Sequence, residues 1–498
     1  LEKERSDEAL SSFALAVISE QAEIKSLLKY QLTDCVHDES IYDAAEQAQL
    51  RSIRPFIKNK SICSAFDVDS LLEIKAAILR VPRGTSNGYP WTIEYKKKLD
   101  LLFVPCEYNN SSECFLFGEN YYTFNYDFIE VVLQVWQILE SGGNLPPTYL
   151  SVVLKDERRD IDRVKAGKTR AIYVMPVHIL IIEEILCRDF NDSLVAHWES
   201  IGHTCGYNHY GGDWNRIIST LAKFKYFTAD DVSGFDGSTQ NFHLQSCNRI
   251  RNAFYVNEHS KTTLTNLYNN CLIRAYFVSR NGIVLEKESG QISGNLNTLT
   301  DNSIIRKNCQ YYYVLSRKIS SWVGFVLGDD AIIATNSKID FDDYSKVMSN
   351  LGYTVTLEYE GQLAEEISFL ANKSIIYQHN KRNYYLPLPN FNKLYSSFTF
   401  IRDKYKGDVL HRIQKLSSLR ISACVNESLF LSITRTIEEL TEQYRSVYLN
   451  NKSFKAYINT LNYNSEYFKQ MLAGIRDPGF LALSQDEARR LGDSMDYW

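Results

Sequence analysis

Two short apolar runs, Val323-Gly324-Phe325-Val326-Leu327 and Ala331-Ile332-Ile333-Ala334-Thr335, flank the triplet Gly328-Asp329-Asp330. Runs of that length around a glycine-led turn predict two buried strands joined as a hairpin. Elsewhere the pattern is helical. Leu10, Phe13, Val17, Ile24, Leu27 and Leu28 follow Ser6, Asp7 and Glu8 at near-helical spacing, which predicts a helix capped by Ser6. A second helix is predicted from Asp69 to Arg80, stopping before Pro82, and a third from about Tyr126 to Leu139, ended by Gly142-Gly143. Pro176 suits the first turn of an apolar helix reaching about Trp198. Tyr149 to Leu154 and Ala171 to Met175 read as strands, and Asp231 to Leu357 alternates short apolar runs with helical ones. From about Asn390 the chain is again helical, with a basic flavour from Lys404 to Arg420. The fold class these patterns predict is α+β.

Composition narrows the class. A chain of 498 residues can bury a large core and divide into two or three subdomains. No linker-like, repetitive or low-complexity tract separates them, so they are expected to be closely joined. The longest apolar stretch, Ala171 to Ile182, is broken by Pro176 and His178 and followed by Glu183-Glu184, too short and polar to span a bilayer. The start, Leu1-Glu2-Lys3-Glu4, lacks both the apolar core of a signal peptide and an initiator methionine, and reads as a proteolytic or engineered boundary. The ten cysteines form no Cys-x-x-Cys and no zinc-type cluster, which predicts reduced thiols in a cytosolic protein. Metal chemistry is then expected on oxygen ligands, which suits Mg²⁺ or Mn²⁺.

The net charge of −5 gives no global signature for nucleic acid, so binding needs a local basic channel. Lys155 to Arg170 offers one, with seven Lys/Arg against four Asp/Glu between the two strand-like runs. Such cations on a stiff ribbon could hold a triphosphate. Lys96-Lys97-Lys98 reads as a solvated surface run. A Gly-Asp-Asp by itself is an ordinary turn. Its company changes the reading: Asp231 and Asp236 are five apart, which implies a strand followed by a turn, with Asp231 free to face metals and Asp236 free to bond a sugar hydroxyl. Asp230 competes with Asp231 as a ligand, and spacing alone does not choose. Ser293-Gly294 starts a turn into a helix on which Thr298 and Asn302, four apart, share a face.

In order along the chain stand Thr85-Ser86-Asn87-Gly88-Tyr89-Pro90, Lys155-Asp156-Glu157-Arg158-Arg159 with Gly167-Lys168-Thr169-Arg170, Asp231 to Asp236, Ser293-Gly294 with Thr298 and Asn302, Gly328-Asp329-Asp330, and Phe369-Leu370. This set resembles the RNA-dependent RNA polymerases of picorna-like positive-strand RNA viruses. The resemblance implies a closed right hand. Its fingers would take residues 1–187 and 237–286, its palm 188–236 and 287–385, with an antiparallel sheet packed on helices, and its helical thumb 386–498. It implies Asp231 and Asp329 as ligands of two Mg²⁺ ions (or Mn²⁺), with Asp330 beside them, and Asp236, Asn302, Ser293, Gly294 and Thr298 as the ribose-reading group. Lys155, Arg159, Arg163, Lys168 and Arg170 would line the NTP path, with Arg170 on the triphosphate. Thr85, Ser86, Gly88, Tyr89 and Pro90 would guide the template, and Phe369, Leu370 and Lys373 would grip the primer.

Implied partners are RNA template and primer, NTPs, a genome-linked protein primer and other replication proteins. The implied origin is a polyprotein, and the implied location is membrane-associated replication complexes in the host cytoplasm. Three positions depart from the family. Glu360 stands where a lysine usually protonates pyrophosphate. Leu370-Ala371-Asn372-Lys373 replaces Leu-Lys-Arg, leaving Lys373 as the substitute. Leu1 is not the family's amino-terminal glycine. A reverse transcriptase would instead carry a bulky sugar guard and no Ser293-Gly294 motif, while an inactive RNA-binding scaffold would tolerate Glu360.

Overall fold

The computed structural model describes residues 12–399, 407–448 and 451–477. Its centre is a four-stranded antiparallel sheet whose strands come from distant parts of the chain. We label the elements used below in chain order: β1 (Phe13–Leu15), α1 (Glu20–Leu27), α2 (Ser70–Arg80), α3 (Tyr126–Ser141), β2 (Tyr149–Leu154), β3 (Arg158–Asp160), β4 (Ala171–Val174), α4 (Val177–Ala196), β5 (Tyr226–Val232), β6 (Tyr276–Val278), β7 (Val284–Glu286), α5 (Thr298–Ser316), β8 (Trp322–Leu327), β9 (Asp330–Thr335), α6 (Phe341–Asn350), β10 (Val355–Gly361), β11 (Asn372–His379) and β12 (Arg382–Pro389). The central order is β8-β9-β5-β10, and a second sheet runs β7-β6-β2-β4, with β2 and β6 parallel.

The two apolar runs form the expected hairpin. Leu327 pairs with Asp330, so Gly328 and Asp329 make a two-residue loop. Of the two, only Gly328 has positive φ (62°), the first-position requirement of a type II′ turn. The α5 helix packs beneath β8, and α6 joins it on that face. Around them Ile333, Tyr313, Tyr344 and Met348 are buried, while Phe325 and Ile332 point to the other face and pack with Trp214, Ile217 and Phe227. Beyond β12 the described chain is helical, with Val409–Ser422 against Glu427–Tyr448 as the main pair. Together this is an α+β right-hand arrangement in which α5 and α6 cover one face of the antiparallel sheet and the helix Asp213–Leu221 packs on part of the other.

Most helix expectations hold because their stop signals are local. α2 ends at Arg80, and α3 ends with Gly142 left-handed at φ 72°. α4 starts after Pro176, where a missing N–H leaves nothing unsatisfied. The N-terminal expectation fails. Phe13–Leu15 is a strand, not a helix turn, and α1 begins only at Glu20, capped by the Ser19 hydroxyl. Phe13 to Leu15 pair with Asp160 to Arg158, and that tertiary pairing overrides the weak helical pattern. Val17, Ile24 and Leu28 are exposed accordingly. Ser6, Asp7, Glu8 and Leu10 lie outside the described residues, as does Lys404. All ten cysteines are free thiols.

One core feature is chemically unusual. Glu183 on α4 is fully buried under the turn that precedes α5, where it accepts from Leu296 N (3.4 Å) and Asn297 Nδ2 (3.3 Å). Burial, reinforced by Asp301, pushes its carboxyl up to about 8. Between its ordinary 4.5 and about 8, the folded protein holds a proton that the unfolded chain has lost, so this group costs stability as pH rises through that window. The slope is at most ~1.4 kcal/mol per pH unit. Glu183→Gln should therefore melt close to wild type at pH 5 and progressively above it toward pH 8. Thermal melts of both proteins across that range check this.

Candidate active site

Strand alternation builds the site. On β5, Asp230 faces the helices and is 3% exposed, while its neighbour Asp231 faces the opposite, open side. Asp230 pairs in register with Ala331 of β9, so one step on Asp231 comes level with Asp330, beside the Gly328-Asp329 turn. The three carboxylates predicted to work together are thus brought together. Asp230 is not among them: its carboxylate pairs with Arg306 and accepts from Tyr344 Oη at 3.2 Å.

The cluster repels itself. Asp329 opens to solvent at the turn, yet loss of hydration, then the charge of Asp231, pushes its carboxyl up. Asp330, more enclosed, is pushed up to about 8 by burial and by Asp329, Glu358 and Asp231. Glu358 sits on β10 beside a register shift, and it too is raised, by burial and then Asp231. Sequence reading missed Glu358, because the bulge that re-aims it leaves no local signal. Glu360, at the departure position, pairs with Thr228, three residues before Asp231 on β5, whereas Asp231 pairs with Thr356 of β10. It bonds Lys338 at 2.9 Å, away from the carboxylates.

Among the described residues no group of three or more His, Cys, Asp or Glu is drawn together tightly enough to hold a metal ion. The donor chemistry nevertheless fits Mg²⁺. The available oxygens are all carboxylate or main-chain, and Mg²⁺ is commonly held by one or two carboxylates, with water and substrate phosphate completing the shell. Mutual repulsion in the cluster favours a cation there.

After β5 the chain turns at Gly234 (φ 64°) into a short helix carrying Asp236. The Asp236 carboxylate accepts from Asn302 Nδ2 at 2.7 Å and is pushed up to about 6, chiefly by burial. Thr298 and Ser293 do not join this pair. The Thr298 hydroxyl donates to Ile292 O (2.7 Å), and Ser293 Oγ accepts from Tyr173 N (3.3 Å). Both hold the loop before α5, where Gly294 passes so close to Tyr173 O that a Cβ would lie 2.1 Å from it.

The basic segment is more structured than a plain hairpin: β3 pairs with β1, and Arg163 lies in the short helix Ile161–Lys165. Arg170 reaches toward the acids while its guanidinium bonds Glu157 bidentately, both contacts at 2.6 Å. That pair, helped by Asp329 and Asp236, holds Arg170 firmly charged. Arg159 bonds Lys168 O. Lys155 is linked through its main chain to Arg170 O (2.8 Å). Two lysines of the N-terminal segment, not anticipated from sequence, join this group. Lys25 Nζ donates to Ala166 O at 2.8 Å, and Lys29, depressed by burial and then by Arg159 and Lys168, packs its backbone against Gly237 beside Asp236.

In the 85–90 loop, Ser86 Oγ accepts from Gly88 N (3.3 Å), and a Cβ on Gly88 would lie 2.5 Å from Met175 O. Tyr89 meets Tyr149 edge-on. Lys98 corrects the surface reading of the lysine run. It is buried, lowered to about 8 by that burial, and donates to Thr85 Oγ1 at 2.9 Å. The β11–β12 hairpin begins at Phe369, which is buried with Phe227 and Phe325, and Leu370 has positive φ (51°). Lys373 is exposed.

The family model for viral RNA-dependent RNA polymerase matches residues 7–434. The chain belongs to that family. The polymerase is 22% identical over 468 residues to the genome polyprotein of Bean common mosaic necrosis virus (strain NL-3), covering 89% of this chain and 14% of the polyprotein. It is 23% identical over 301 residues to that of Plum pox potyvirus (isolate NAT), covering 58% and 9%. The chain thus spans a small fraction of the length of those relatives. A solved structure titled Sicinivirus 3Dpol RNA dependent RNA polymerase superposes with a TM-score of 0.69 at 15% identity, over 95% of this chain and 94% of that one, which supports the fold. The activity of that family is template-directed RNA synthesis from NTPs, and it generally uses divalent metals. No helix among the described residues is long and apolar enough to cross a membrane.

With Asn302 shortened to alanine, Asp236 loses the amide donor at 2.7 Å, and if this pair reads the ribose hydroxyl, half of that reading is lost. The polymerase's preference for NTP over dNTP should fall about tenfold or more, on the order of 1.4 kcal/mol. Incorporation efficiencies of matched NTP and dNTP pairs measure this directly.

Proposed function

We propose that this chain performs two-metal nucleotidyl transfer with Asp231 and Asp329 holding the ions and Asp330 as an auxiliary carboxylate. The observation that carries this reading is the meeting of β5 and the β8–β9 turn, which puts the three carboxylates on one open face. When bound, Mg²⁺ would lower the pKa of the primer 3′-hydroxyl and offset charge on the phosphates. The protein's own part is orientation. Asp236 and Asn302 read the ribose 2′-hydroxyl, and Arg170 trades Glu157 for the incoming triphosphate. Lys155, Arg159, Arg163 and Lys168 supply further positive charge along its path. The loop Thr85 to Pro90 guides the template, and Phe369 with Leu370 anchors a hairpin that offers Lys373 to the primer.

The wider setting follows from the same reading. The chain is released from a polyprotein, works in replication complexes on host cytoplasmic membranes, and extends RNA or a genome-linked protein primer. The relatives are genome polyproteins, which supports the first of these.

Primer extension on a short RNA template with NTPs and Mg²⁺ tests the site. Asp329→Asn should lose at least three orders of magnitude in rate, roughly 4 kcal/mol of transition-state stabilisation. Retention of activity within tenfold of wild type would refute the assignment. Equal use of dNTPs would point to a reverse transcriptase, and RNA binding without extension by wild type would point to a scaffold.

A further inference from the structure

Arg306 lies on α5 one turn beyond Asn302 and is 0% exposed. Its guanidinium is spent mainly on the rear of the carboxylate cluster, with one further contact from Nη1 to Met348 Sδ at 3.7 Å. Nε donates to Asp329 O at 3.1 Å, Nη2 pairs with the Asp230 carboxylate, and Nη1 reaches Tyr344 Oη at 3.4 Å. Tyr344 closes the ring by donating to Asp230 Oδ1 at 3.2 Å. Three residues earlier on the same helix face, Ser303 Oγ accepts from Gly328 N at 2.9 Å.

A buried ion pair carries a desolvation cost that well-packed apolar residues of the same volume avoid, so stability alone is a weak reason for this one. What apolar residues cannot do is hold a main-chain carbonyl. Arg306 holds the carbonyl of Asp329 with one donor and, with another, the side chain of the residue next to Asp231. A planar fork fixes both contacts in one rigid plane, which an ammonium cannot.

We propose that Arg306 is a positioning residue for nucleotidyl transfer, setting the separation and heading of the Asp231 and Asp329 carboxylates from behind. The proposal rests on the reading of those two as the ion-holding pair. Two ions held about 3.5–4 Å apart require that separation to be fixed. The Arg306 fork ties both strands to α5, the helix that also carries Asn302, so one rigid element registers the ribose contact and the carboxylates together.

The test is single-nucleotide incorporation by preassembled complexes with an RNA primer–template, titrated with Mg²⁺. Only assembled complexes are scored, so a lower yield of folded protein does not enter the rate. Arg306→Lys keeps a cation opposite Asp230 but cannot serve both contacts. Its maximal rate should fall about 30-fold or more and its half-saturating Mg²⁺ rise at least about threefold. Its half-saturating NTP concentration should stay within about threefold of wild type. The paired variant Asp230→Leu/Arg306→Met, which leaves no buried charge, should lose the same and serves if the lysine variant does not fold. A merely structural role predicts lowered melting with rate and Mg²⁺ dependence unchanged. That result in either variant overturns the proposal. Asp329→Asn is run alongside. If it stays active, the ion-holding assignment falls and this proposal with it. If it is inactive while Arg306→Lys behaves as wild type, the role of Arg306 alone is overturned.

Discussion

Adjacent residues on a strand point to opposite faces, and at Asp230-Asp231 that constraint makes two identical side chains into opposites. One is sealed among Arg306, Tyr344 and the underside of the sheet, and the other looks into the open face. Everything else at the site is arranged around this split. The inward acid requires a buried cation, which α5 supplies. The outward acid requires a neighbouring turn at the same level, which the Gly328-Asp329 loop supplies. The next acid on, Asp236, needs a glycine turn at Gly234 to leave the strand and approach Asn302. A shift of one residue in the register of β5 would exchange Asp230 and Asp231 and destroy both faces at once.

The second organising feature is non-local. The N-terminal segment crosses from the basic ribbon to the palm. β1 pairs with β3, Thr169 Oγ1 donates to Val17 O (2.6 Å), and Tyr173 Oη donates to Ser26 O (3.0 Å). The chain then passes Gly237, and Tyr30 O accepts from Ser289 N at 3.3 Å before Thr33 N donates to Gln240 Oε1 at 3.1 Å. The segment therefore touches the cationic path, the loop before α5 and the helix after Asp236 in succession. This is how a hand built of separate sheets becomes closed, and why Lys25 and Lys29 end among cations far from them in sequence.

What could be read from sequence follows the range of the interaction. The hairpin at Gly328-Asp329, the end of α3 at Gly142, the start of α4 after Pro176 and the strand-then-turn at Asp231–Asp236 are set by a few adjacent residues. The order of the motifs then carried the family, and with it the candidate site. Features decided by distant partners were not legible. Phe13–Leu15 is a strand only because Arg158–Asp160 lies beside it, and Lys98 is buried only because the 85–90 loop folds over it. Choosing between Asp230 and Asp231 needed Arg306, 76 residues away, since both aspartates look alike in sequence. Glu358 needed a register shift that no pattern announces.

The electrostatics of the site set a group of raised carboxylates against a paired cation. Asp329, Asp330, Glu358 and Asp236 are all raised, first by burial and then, in varying measure, by one another. Across the cleft, Arg170 is held by Glu157. The acids are thus imperfectly satisfied while Arg170 is already paired, and in the proposed reading a divalent cation with a nucleoside triphosphate would answer the acids. On the proposed reading, cations would relieve the repulsion among the acids, and the phosphates would offer Arg170 a bidentate partner in place of Glu157. Because the two would act on charges that feel one another, the same reading has binding of either ligand favour the other, and by linkage such coupling is reciprocal. The missing family lysine fits this picture. At its position Glu360 is drawn off to Lys338, so the positive charge facing the acids comes from the ribbon and from Arg306 behind the sheet, not from β10.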